Sequence, residues 1–205
     1  MQRCGWAEPD EIYIRYHGHE WGVPEYSDQK LWQMLVLESF QVDLGWITIL
    51  RRRDGFIKAF QGFDPNIIAI WDDVEVADLV QNIAIIRHRG KIEAKIGNAR
   101  AWQWQQAGAG FSSLLWWAVG GRSIQNNWHN LSEVPAETAI SLKLSADLKA
   151  AGFRFCERKM VYALMQAAGL VNDHLISCPC HVRLAGLAAD RTSRKDRVIE
   201  NADKL

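Results

Sequence analysis

The sequence has no excess of charge of either sign: its 205 residues carry 24 lysines and arginines against 24 aspartates and glutamates. Bulk charge therefore announces no nucleic-acid partner, and any basic footprint has to be local. There is no apolar run of the roughly 20 residues needed to cross a bilayer, so no membrane partner is expected. The opening residues MQRCGWAEPDEIYIRYHGHEWG mix charged and aromatic side chains and lack the apolar centre of an export signal. No internal repeat, low-complexity tract or long linker interrupts the chain. No sustained alternation of apolar and polar residues marks a strand. The four cysteines would suffice for two disulfides outside the cell, but neighbouring histidines and the missing export signal favour reduced thiols in a cytoplasmic protein.

What remains is helical patterning in a chain that is 48% hydrophobic, long enough for one domain or two closely packed lobes. Ser27-Asp28 caps a segment carrying Leu31, Met34 and Leu35. A second helix runs from Trp46 through Ile47, Ile49 and Leu50 to Arg53. Asp64-Pro65 reads as a cap followed by proline at the first helical position, and Asp72-Asp73 opens another segment. Helices are further expected from Gly90 to Gln106, around Leu114 to Val119, from Pro135 to Ala151 with Gly152 as its terminator, and from Met160 to Ala168, ended by Gly169. The fold class is all-α. Residues from about 184 to 205 form a charged tail, frayed or partly helical. Of the ten tryptophans, the central group Trp102, Trp104, Trp116, Trp117 and Trp128 is expected mostly in packing roles.

Two distant pairs carry metal-ligand chemistry. Cys4 and His17 stand near the start; His174 and Cys178 stand near the end, four apart, so that on a helix they would share one face. Four such groups suit a tetrahedral zinc ion that would tie the two ends of the fold together. The spacing alone equally suits ordinary buried cysteines and histidines, because a separated two-plus-two set is less diagnostic than paired CxxC motifs. Trp6, Tyr13, Tyr16 and Trp21 crowd the N-terminal pair and suggest a stacking pocket. Further on, Leu144, Leu148, Gly152-Phe153 and Phe155 lead into the helix of Tyr162. A helix, a tight turn and a second helix can aim backbone N–H groups at a DNA phosphate. A plain αα-hairpin fits the same pattern.

Specific runs then bear a resemblance. Arg3-Cys4-Gly5-Trp6, Tyr16-His17, Glu20-Trp21-Gly22-Val23-Pro24, Leu37-Glu38, Gln41, Trp46-Ile47-Thr48, Ile86-Arg87, Lys91-Ile92, Asn98-Ala99, Gly152-Phe153 and the run from Gly169 to His174 occur in this order. Over roughly residues 1 to 180 the chain resembles the 3-methyladenine DNA glycosylase I family of the helix-hairpin-helix superfamily. The resemblance implies a single glycosylase domain over residues 1–183, built of two packed helical lobes. It implies a structural zinc held by Cys4, His17, His174 and Cys178, with Cys180 and His181 as bystanders. It implies a monomeric, monofunctional base-excision repair enzyme that flips 3-methyladenine out of double-stranded alkylated DNA and hydrolyses its N-glycosidic bond. Trp46 would stack on the base and Glu38 would accept hydrogen bonds from its edge as the catalytic carboxylate. Tyr13, Tyr16, Trp6 and Trp21 would line the same pocket, and Asp173 would be structural.

Several residues depart from the family pattern. Ser39, Val42 and Asp43 stand where small residues are usual, and Asp43 adds a charge. Gly18 replaces a common aspartate. In the hairpin, Cys156-Glu157 replaces Val-Gly, which puts a carboxylate where backbone amides should meet phosphate; Arg158 and Lys159 would compensate. These departures leave a second reading open: a non-catalytic sensor of alkylated bases with altered DNA docking.

Overall fold

The computed structural model describes residues 3–41 and 44–188. The first helices in chain order are α1 (Glu11–His19), α2 (Asp28–Gln41), α3 (Trp46–Ala59), α4 (Pro65–Ile68) and α5 (Asp73–Leu79). They are followed by α6 (Arg89–Gln106), α7 (Phe111–Trp117), α8 (Ala139–Ala150) and α9 (Arg158–Ala167). Residues 179–188 form α10. Two strands of two residues each, β1 (Ile124–Gln125) and β2 (Val171–Asn172), pair in parallel with Ile124 opposite Val171. Among the described residues no helix is long and apolar enough to cross a membrane.

The chain divides into two compact units. One gathers the described residues up to Pro24, Val119–Pro135 and those from Met165 onward; the other holds Glu25–Ala118 and Ala136–Leu164. In the second unit the helix starts follow from their caps. Asp64 accepts a 2.8 Å bond from the Asn66 N–H, with Pro65 in the first turn where its missing donor costs nothing. Asp72 and Glu75 form a reciprocal capping box on α5. α6 is the central element: Ile92, Ala94, Ile96 and Ala99 are buried on it, and α2, α4, α5 and α7 pack around it. Phe40, Phe56, Phe60 and Phe63, all fully buried, form a chain of rings with centroids 4.9–5.9 Å apart. Each such side chain contributes about 2–3 kcal/mol of burial.

The first unit depends on backbone closeness. Gly169 has φ 71°, and a Cβ there would lie 2.6 Å from both the Gly22 carbonyl oxygen and the Pro24 nitrogen. No other residue fits, which explains why the chain can turn from α9 into β2 at this point. The Asp173 carboxylate, 2% exposed, then accepts bonds from Asn126 Nδ2 (2.6 Å), Trp128 Nε1 (2.8 Å) and Gln166 Nε2 (2.8 Å). It stitches three separate stretches of chain together, a structural role without any helix to cap.

The fold is mostly helical, as the patterning requires, with two corrections. The strand pair is absent from the sequence reading because two-residue strands carry no alternation. α8 begins at Ala139 instead of directly after Pro135, because Thr138 supplies the cap by accepting from the Ser141 N–H at 3.2 Å. Of the five central tryptophans Trp104 and Trp117 are 79% and 84% exposed, and the other three are buried or half-buried, so most of the group packs as expected. Residues 184–188 of the expected tail are helical; residues 189–205, like Val42 and Asp43, lie outside the described residues.

Candidate metal cluster, buried carboxylate and helical hairpin

Cys4, His17, His174 and Cys178 converge in the first unit. Their ligand atoms all lie within 4.8 Å of one another and all four residues are buried. Cys178 Sγ is 3.7 Å from His17 Nε2 and 3.7 Å from His174 Nδ1; Cys4 Sγ is 3.7 Å from the same Nδ1. A tetrahedral zinc with ordinary Zn–S and Zn–N bonds would set such edges at about 3.6 Å. The ring of His174 is held by a 3.2 Å contact from Nε2 to the Trp21 carbonyl oxygen. That bond places the proton on Nε2 and leaves Nδ1 bare toward its neighbours, the outer support that metal-binding histidines usually have.

The protonation states point the same way. Burial, with the charges of Arg3 and Arg183, lowers the His17 pKa to about 4. Burial and then His17 lower that of His174 to about 4. Both imidazoles are neutral and able to donate a lone pair. Burial pushes the Cys4 thiol up to about 12, so a cation is required to hold it as thiolate. The donor set and the geometry fit a metal ion. Cys180, 9% exposed, joins the same apolar cluster but not the ligand set. His181 is engaged at 2.8 Å with the Asn126 carbonyl.

The aromatic residues that sequence reading placed near Cys4 and His17 do gather there. The Trp6 ring meets Tyr13, His17 and Trp21 edge-on at centroid distances of 5.6, 5.3 and 5.0 Å. Trp21 also meets His174 edge-on at 4.6 Å. Tyr16 is buried on α1 one residue before His17. Trp6 and Trp21 thus wall the Cys/His cluster.

Glu38 and Trp46 belong to the second unit. Glu38 sits on α2 between Leu37 and the buried Ser39 and Phe40, and only 4% of it is exposed. Among the described residues no donor hydrogen-bonds to its carboxyl group. Burial alone raises its pKa to about 8. A buried acid without a partner is costly unless a ligand completes it, and perturbed carboxyls of this kind concentrate at functional sites. Trp46 opens α3 and is partly exposed. A cavity of about 590 Å³ elsewhere in this unit, lined by Gln105, Ser113, Leu114, Trp117, Lys143 and Asp147 among others, contains none of the sequence-predicted residues.

The turn between α8 and α9 is tightly built. Gly152 (φ 93°) ends α8, its N–H bonded to Lys149 O at 3.0 Å. Asn98, fully buried on α6, braces the turn from both sides. Its Oδ1 accepts the Arg154 N–H at 2.7 Å and its Nδ2 donates to the Arg154 carbonyl at 3.0 Å. Ser145 Oγ donates to the Cys156 carbonyl at 2.5 Å. Asn98 was visible in the sequence as part of a motif, but nothing in its position announced that it holds a segment 56 residues away.

The chain is similar to known proteins over most of its length. The methyladenine glycosylase family model matches residues 6–181. The DNA-3-methyladenine glycosylase 1 of Escherichia coli (strain K12) is 46% identical over 182 residues, 88% of this chain and 97% of that protein. A crystal structure of 3-methyladenine DNA glycosylase I superposes with a TM-score of 0.86 at 45% identity, covering 88% of this chain and all of that one. A second 3-methyladenine DNA glycosylase I, solved in complex with 3-methyladenine, gives a TM-score of 0.83 at 33% identity over 87% of this chain and 97% of its own. With nearly the whole length of its relatives matched in both sequence and fold, this chain belongs to the methyladenine glycosylase family.

Proposed function

We infer that this protein is a DNA-3-methyladenine glycosylase: a hydrolase of base-excision repair that cleaves the N-glycosidic bond of 3-methyladenine in alkylated DNA. The observation that carries this reading is the near full-length match to glycosylases of that name, one of which is solved with the base bound.

The chemistry asks little of the protein. Methylation at N3 gives adenine a positive charge and weakens its bond to deoxyribose. When the C1′–N9 bond breaks, its electron pair leaves with the base, which departs as neutral 3-methyladenine. Water adds to C1′ and one proton is released. The enzyme must therefore extrude the nucleotide and favour a cationic adenine over a neutral one. Glu38 supplies the selective element. Its buried carboxyl is neutral at pH 7, and the arriving cation favours ionisation, so the carboxylate accepts hydrogen bonds from the adenine edge and balances its charge. Trp46 stacks on the base, its indole face attracting the cation by about 0.5–2 kcal/mol. Tyr13, Tyr16, Trp6 and Trp21 contribute to base binding, the rings of Trp6 and Trp21 also meeting His17 and His174.

Cys4, His17, His174 and Cys178 hold a zinc ion whose role is structural, since four protein groups fill a tetrahedron and leave no open position for water or substrate. Residues 1–183 act as one glycosylase domain, working as a monomer on double-stranded DNA. The four thiols are unpaired, which suits a reducing cytoplasm. Release of free 3-methyladenine from methylated duplex DNA, separated by chromatography, tests the activity; metal content of the purified protein tests the zinc. Folded, zinc-loaded protein that releases no base would remove the enzymatic reading and favour a sensor of alkylated bases.

A further inference from the structure

The hairpin's charges are paired off in a way that bears on DNA docking. Lys149, in the last turn of α8, places Nζ 2.6 Å from Glu157 Oε2, across the turn. Arg158, which opens α9, places Nε 2.7 Å from Glu137 Oε2. Lys143 is matched by Asp147 at 2.6 Å. Among the described residues only Arg154 and Lys159 of this hairpin have no carboxylate within ion-pair distance. The backbone geometry, by contrast, is set for an anion. Glu157 accepts the Val161 N–H at 2.8 Å through its carbonyl and so stands at the start of α9. The first-turn N–H groups that follow have no acceptor inside the helix, and Asn98 and Ser145 hold the turn rigid.

We propose that Glu157 is a built-in mask on the docking hairpin: it holds the Lys149 ammonium by an ion pair and so withholds one phosphate contact from DNA. This rests on the glycosylase reading, in which the hairpin meets the DNA backbone. The carboxylate belongs to the residue at the start of α9, and its partner Lys149 lies in the last turn of α8, on the other arm of the hairpin. The consequence is weaker sequence-independent, salt-sensitive binding. Recognition then depends more on the extruded base than on the backbone. The pair is largely exposed, with Glu157 73% accessible, and exposed ion pairs are weak. The mask is therefore a tuning device with an effect of about two- to fivefold.

The test measures affinity for a duplex containing a tetrahydrofuran abasic-site analogue, by fluorescence anisotropy over a range of salt concentrations. The proteins are wild type, Glu157→Gln, Lys149→Ala and the double variant. Glu157→Gln is expected to bind about two- to fivefold tighter at low salt, with the slope of log K against log salt steeper by about 0.9, the value for one added phosphate contact. In the Lys149→Ala background the same change is expected to leave the slope unaltered. A gain of equal size and slope in both backgrounds overturns the mask, because Glu157 would then act through its own field and not by holding Lys149. No gain in either background overturns it as well. Base release by the same preparations separates the two levels: absent release sinks the glycosylase reading, whereas intact release with no gain sinks only the mask.

Discussion

The Cys/His cluster and Glu38 are both buried polar sites, and they differ in where their partners come from. In the first unit, two thiols and two imidazoles face one another within 4.8 Å, and a carbonyl fixes one ring. In the second, Glu38 has burial and no donor among the described residues, and its pKa rises to about 8 in consequence. Polar groups that converge on one another complete themselves around an ion and stabilise the fold. A polar group left open, as Glu38 is, can be completed by a ligand that arrives.

The largest expected effect breaks the first site. Cys178→Ala removes one of the four residues proposed to hold a zinc ion, and loss of a structural metal belongs to the small class of changes costing about 4 kcal/mol or more. Metal analysis and thermal melting should show lost zinc and a markedly lower Tm. A metal-free variant as stable as wild type would refute the assignment. Once a chelator has stripped the metal, the histidines impose a sign on pH dependence. Their folded pKa of about 4 lies below the unfolded 6.5, so their contribution is complete above pH 6.5 and is lost as pH falls toward 4. Denaturant titrations across that window should show the decline.

Breaking the second site should spare the fold. Glu38→Gln keeps size and burial but loses a charge-assisted hydrogen bond, worth about 1.5–3 kcal/mol. Base excision should then slow by about 10- to 100-fold in kcat/KM with unchanged zinc content. The profile of kcat/KM against pH sharpens the point. The ionised carboxylate is the working form, so activity should rise with pH and level off above about 8, and the variant should lack this limb. Stability runs oppositely: a folded pKa of about 8 against 4.5 unfolded means that Glu38 opposes folding increasingly as pH rises from 4.5 to 8.

A third buried group extends the comparison with the smallest expected effect. Lys95 is fully buried on α6 and its Nζ has no hydrogen-bond partner. It lies 5.8 Å from the centroids of Phe40 and Phe155. Burial lowers its pKa to about 8. Nothing in the base-excision chemistry uses it. Replacing an unpaired buried cation by an apolar side chain of like length is neutral or stabilising by about 1–3 kcal/mol. Lys95→Met should therefore unfold at equal or higher urea concentration with base release unchanged. Lost activity would give Lys95 a role that its geometry does not suggest.

Legibility from sequence follows the range of the interaction. Asp64 and Asp72 act on amides two or three residues away, and helices capped by such neighbours are where the sequence is most readable; the Thr138 cap, of the same range, was missed. The Cys/His cluster joins residues about 170 apart; residue type made it thinkable and the resemblance singled it out, whereas His174 and Cys178 lie in turns before α10 and not on one helix face. Asn98, Asp173 and Lys149 were not readable in their roles. Each acts on a partner across a turn or a long stretch of chain, and nothing in local composition records the match. The strand pair escaped because two residues have no period. The unusual charge of Glu157 was plain in the sequence; the lysine that answers it was not.

The most direct test is the yield of free 3-methyladenine from methylated duplex DNA incubated with wild-type protein and with Glu38→Gln, measured against heat-labile loss in protein-free DNA. The account predicts release far above that background for wild type and a rate lower by about 10- to 100-fold for the folded, zinc-loaded variant. Release by wild type at the background rate, or by both proteins equally, would contradict it.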